Sequence, residues 1–130
     1  MKYLTLVFAG ISFCFSGLVR AEVFYCSEDN RAGIKWDESR PVTFKPGRLK
    51  INVDFENNTL HSPDATLLYE RGFGTRCSKK HYVGDNTTYI HCSSELGVAL
   101  MFNINSYKFS SAMYVEGQDM YVSYGSCEPF

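Results

Sequence analysis

The stretch Arg48–Thr59 constrains the fold most. Leu49, Ile51, Val53 and Phe55 share one parity, and Lys50, Asn52, Asp54 and Glu56 share the other. Side chains of a strand point alternately to opposite faces, so this pattern predicts a strand with one dry and one wet face. Asn57-Asn58 follows, two residues that tolerate the positive φ of a tight hairpin turn. No helical period persists for about ten residues anywhere in the chain. Aromatic residues reach 15%, and polar turn formers separate the short apolar runs. The expectation is an all-β chain: an antiparallel meander of about eight strands, closed or partly closed into a small barrel, with a β-sandwich as the alternative.

Along the chain, strands are expected at Glu22–Ser27 and Ala32–Trp36, separated by a polar turn at Glu28-Asp29-Asn30-Arg31. Asp37–Gly47, with Pro41 and Pro46, reads as a loop holding a short edge strand at Val42–Phe44. Further strands are expected at Thr59–His61, Thr66–Arg71, Thr87–Ser93, Val98–Phe102, Tyr107–Val115 and Asp119–Ser126. Val98–Phe102 is apolar on both parities, which predicts little contact with water. Ser78–Asn86 is basic and polar and reads as an exposed loop.

The first residues carry Lys2, an apolar run from Tyr3 to Phe15, and Val19 and Ala21 at the −3 and −1 positions of a cut before Glu22. These are the parts of a secretory signal peptide, residues 1–21, and the run is too short for a comfortable membrane span. The remaining 109 residues, 22–130, make one domain. Without Lys2 and Arg20, eleven basic residues face fourteen acidic ones, a net charge of −3. That balance points away from nucleic acid as a partner.

Cys26, Cys77, Cys92 and Cys127 survive processing. An even count in a small exported chain predicts two disulfides, and gaps of 51, 15 and 35 match no zinc finger or ribbon. Two halves of the chain are faintly alike. Tyr25-Cys26-Ser27 is echoed by His91-Cys92-Ser93, and Phe73-Gly74-Thr75-Arg76-Cys77 by Tyr124-Gly125-Ser126-Cys127. Of the three possible connectivities, two similar meanders closing on one another favour Cys77–Cys92 and Cys26–Cys127, because the last strand of each half then lies beside the first strand of the other. Pairing within halves would have to reach across the sheet.

The segments Tyr25-Cys26-Ser27-Glu28-Asp29-Asn30, Phe55-Glu56-Asn57-Asn58, Cys92-Ser93-Ser94-Glu95-Leu96-Gly97 and Tyr124-Gly125-Ser126-Cys127-Glu128 resemble a loose set of small exported, disulfide-bonded proteins of Gram-negative marine bacteria. That set has no established activity, so the resemblance implies export and no site residues. In outline, a barrel with a cysteine near each mature end also resembles the periplasmic inhibitors of c-type lysozyme, although no inhibitory loop of that family maps onto residues here.

Residues for chemistry are sparse. His61, His81 and His91 are the only histidines, and no nucleophile elbow surrounds a hydroxyl residue. Glu28-Asp29-Asn30 lacks the spacing of a calcium loop and fits a turn better. Asn57-Asn58-Thr59 and Asn86-Thr87-Thr88 match the glycosylation sequon and read as coincidences of turn composition. No catalytic, cofactor or metal residues are assigned, and the chain is not read as an enzyme. The expected function is a periplasmic or secreted binding or inhibitor module, monomeric and acting through loops on a rigid β frame. A carrier of a small apolar ligand and, last, a hydrolase are the alternatives. The interior discriminates among them: a void favours the carrier, a filled core the protein-binding module, and converging histidine and acid the enzyme.

Overall fold

The computed structural model describes residues 21–62, 75–84 and 86–130. Residues 1–20 of the expected signal peptide and the strand expected at Thr66–Arg71 lie outside these. Among the described residues there are nine strands and no helix. They are β1 (Glu22–Lys35), β2 (Arg40–Thr43), β3 (Arg48–Asp54), β4 (Thr59–His61), β5 (Arg76–Tyr82), β6 (Thr87–Ser93), β7 (Val98–Asn103), β8 (Lys108–Met113) and β9 (Met120–Pro129). All pairings are antiparallel within one sheet, in the order β4-β3-β1-β9-β8-β7-β6-β5, with β2 beside the second half of β1. The sheet curls until β4 lies against β5 and β6, a nearly closed barrel with one unsealed seam.

Two neighbouring pairs of strands are tied covalently. Cys26 lies directly opposite Cys127 on β1 and β9, and Cys77 opposite Cys92 on β5 and β6. Both pairs are disulfides, with Cα–Cα distances of 3.9 and 4.0 Å. The pairing expected from the two half-chain meanders is the one present. No helix among the described residues is long and apolar enough to cross a membrane.

The strand at Arg48–Asp54 has the parity its sequence demands. Leu49, Ile51 and Val53 are buried, Lys50 and Asn52 are half-buried and Glu56 is exposed. Phe55, just past the strand, is only half-buried, but packs against the core and meets Phe24 edge to face. The turn differs from expectation. Asp54 pairs with Thr59, so the loop holds four residues, and Asn58 alone among them has positive φ. Asp54 organises it: Oδ1 accepts from the Glu56 and Asn57 amides, and Oδ2 from the Asn57 side chain. Asx side chains commonly bend the chain in this way.

Glu28–Arg31 is not a turn. The chain runs straight through it as β1, and the register against β9 shifts between Glu28 and Asn30, a β-bulge with Asp29 as the extra residue. Before the bulge Phe24, Cys26 and Glu28 face inward; after it Arg31, Gly33 and Lys35 take that side. Ser78–Asn86 is corrected likewise, since its first half is the end of β5, paired along seven residues with β6. The polar, basic composition suggested a loop because β5 is exposed at every position but Cys77. In β7 the inward set is buried, while Ala99 and Met101 are half-exposed, so the strand meets more water than expected.

The core lies along the barrel axis. Phe24, Ile51, Val53, Leu100 and Phe102 have no solvent exposure, and Phe24 sits 5.0 Å from Phe102 and 5.1 Å from Tyr107 between ring centroids. Such aromatic pairs add roughly 0.5–1.5 kcal/mol each beyond the area they bury.

Candidate functional site

The three histidines do not converge. His61 lies on β4 opposite Asn52, and His91 on β6 between Ser78 and Met101. On β5, His81 places Nδ1 2.9 Å from the Thr88 hydroxyl. None is ion-paired to an acid among the described residues, nor do three His, Cys, Asp or Glu side chains gather there as metal ligands.

Among the described residues the one buried carboxylate, Glu28, has a structural position. Glu28 accepts from Arg31 through Oε1, at 2.8 Å from Nη2, and from the Gly47 amide through Oε2 at 2.6 Å. Gly47 ends the link Phe44–Gly47, where the chain alongside β1 breaks between β2 and β3. The carboxylate thus satisfies backbone that an uninterrupted ladder would have paired. Burial pushes the Glu28 carboxyl up, but bonds from Arg31, the Gly47 amide and the Ser123 hydroxyl outweigh it and hold the pKa below the usual carboxylate value. Ser123 and Ser111, both buried, meet at 2.7 Å, and the Arg31 guanidinium lies 4.6 Å over the Tyr121 ring. The carboxylate and the two serine hydroxyls of this cluster are partnered within the barrel, while the Arg31 side chain keeps a quarter of its surface in water.

The outer surface is different. Ala32, Val122 and Ala112 stand side by side on β1, β9 and β8, all on the outward parity. Ala32 and Val122 line two shallow concavities of about 460 and 280 Å³, the second reaching Ala112, and a third of about 340 Å³ adjoins the second. The first extends to Pro41 and Val42 on β2, the second to Tyr114, and the third to Trp36; Val122 joins the first two, and Ile34 and Met120 the last two. Val122 is 62% exposed and Tyr114 72%. The result is one apolar belt over four strands. Its rim is held in place: the Trp36 amide donates to Asp119 Oδ1 at 3.0 Å, and Glu38 pairs with both Lys35 and Arg40. A fourth concavity, about 520 Å³, lies on the outer face of β3, β1 and β9 between Tyr25, Lys50, Ser126 and Glu128, with mixed polar walls.

Sequence reasoning assigned none of the belt. The legible signal is the alternation Met120-Tyr121-Val122-Ser123-Tyr124, where an apolar residue occupies the outward parity beside a half-polar inward one. What it lacks is the register that sets Val122 between two alanines. Comparison of this chain with protein-family models, curated proteins and solved structures returned no match.

Proposed function

We propose that this protein is an exported envelope protein that binds another protein through the apolar belt on the outside of its β frame. The observation that carries the reading is the pairing of a packed apolar core with an exposed apolar exterior. Fully buried Phe24, Ile51, Leu100 and Phe102 occupy the axis, while Val122, Tyr114 and Trp36 remain open to water. Contiguous exposed apolar surface with a polar rim is a common mark of an interaction site. Two disulfides suit an oxidising compartment, in keeping with a periplasmic or secreted location. The loops at Trp36–Ser39 and Tyr114–Asp119 serve as the rim, so strands supply more of the binding face than the loops do.

The test compares wild type with Val122→Lys and Tyr114→Ala as baits in a periplasmic extract. A partner retained by wild type and weakened about tenfold or more by either substitution, as truncated interface anchors commonly are, supports the belt. Equal retention by all three proteins refutes it. A small apolar molecule carried through purification supports the carrier instead.

A further inference from the structure

We propose that the outer face of β5 and β6 is a second binding site, for a linear anionic glycan bearing repeated carboxylate or sulfate groups. Within six residues β5 carries Arg76, Lys79, Lys80 and His81, in a chain whose overall balance is acidic. All four are exposed. The one acid paired with them among the described residues is Glu95, 3.7 Å from Arg76 with both side chains largely in water, a contact worth little.

Register separates these cations into two groups. Cys77 points inward to its disulfide with Cys92, so Lys79 and His81, on the same parity, face the seam. Lysines there guard a sheet edge against pairing with another chain. That protective role does not explain Arg76, Lys80 and Tyr82, which project from the outer face. Arg76 and Lys80 are four steps apart along the strand, roughly 13 Å at the usual rise. Beside Lys80 stands Tyr89, directly opposite on β6, and its ring meets Tyr82 edge to face at 5.5 Å. His91, on β6, stands opposite Ser78, which lies midway between the two cations on β5.

The occupant follows from this chemistry. Two cations spaced along the outer face of one strand, on an open surface, match a linear polymer of regularly spaced anions, and short Lys/Arg-rich stretches are a recurrent footprint of such ligands. The tyrosine pair adds flat apolar surface on which the C–H face of a sugar ring can rest, which a lipid phosphate or inorganic anion would not use. The Cys77–Cys92 bond holds β5 to β6, so the face is formed before the ligand arrives and less ordering is lost on binding.

The experiment uses the mature chain with both disulfides and a hexauronate as the probe, measured by calorimetry at low and moderate salt. Saturable binding that weakens with salt is expected, with no binding of the neutral hexasaccharide. Arg76→Glu/Lys80→Glu should weaken it at least tenfold, and Tyr82→Ala several-fold. Lys108→Glu, a single charge reversal on β8, should change it less than twofold. Circular dichroism before titration establishes that each variant is folded. Absence of hexauronate binding overturns the proposal. So does equal weakening by Lys108→Glu, which would mark a response to net charge alone, or binding to phosphatidylglycerol vesicles without binding to the hexauronate.

Discussion

Glu28 shows how a single side chain can hold a break in a β framework. Its carboxylate is fully buried, whereas the Arg31 side chain keeps a quarter of its surface in water. Glu28→Gln would leave Arg31 without its counter-charge and is expected to cost roughly 2–3 kcal/mol, less than the 3–5 of a fully buried pair. The pH dependence has a definite sign. Because the folded pKa lies below the unfolded one, the contribution is present in full above the unfolded carboxylate value of about 4.3 and fades as pH falls through the folded value. Urea titrations from pH 7 to pH 3 should therefore show a steeper acid loss for wild type than for Glu28→Gln; parallel curves would contradict this. At the core, Val53→Ala should cost roughly 1–3 kcal/mol from lost burial and a residual cavity. Lys50→Ala should cost less than about 1 kcal/mol, its distant contact over the Tyr25 ring included. The alternation in Arg48–Phe55 was enough to assign these burials from sequence. Glu28 was not legible, because three polar residues in a row look alike whether they make a turn or a bulge, and the difference lies in a register set by β9.

At the scale of elements, turns and edges carry the information that composition hides. The hairpin between β6 and β7 closes when Gly97, at φ 86°, donates to the Ser94 carbonyl at 3.2 Å and accepts from the Tyr114 amide at 2.8 Å. A Cβ there would collide with the Tyr114 carbonyl, and an L-residue would strain the backbone as well. Gly97→Ala should lower stability by roughly 1–3 kcal/mol in denaturant titrations, and an effect near zero would contradict the close approach. Strand β5 was legible only through Cys77. Its remaining residues are wet on both sides, so no periodicity marks them, and its place in the sheet depends on the ladder with β6. The two disulfides differ in the loops they close, with sequence separations of 15 and 101. In the chain-entropy model, Cys77→Ser/Cys92→Ser should cost about 3 kcal/mol and Cys26→Ser/Cys127→Ser about 4.7. The reverse order of unfolding midpoints would contradict that model here.

For the whole molecule, closure follows from chain ends and cysteines more than from any single strand. The half-chain resemblance anticipated that β9 returns to β1 and β5 lies beside β6, and both pairings are present. The apolar belt was not legible, because it depends on which exposed side chains become neighbours across β2, β1, β9 and β8, a property of register and curl. The central claim is that the barrel works through its outside and carries no small ligand within. Native mass spectrometry of the protein purified without denaturant from the exporting cell tests it most directly. The predicted species is the bare chain 22–130, lighter by four hydrogens for its two disulfides and free of any small molecule. A stoichiometric apolar adduct that survives purification and persists in Val122→Lys would place a ligand in the interior and contradict it.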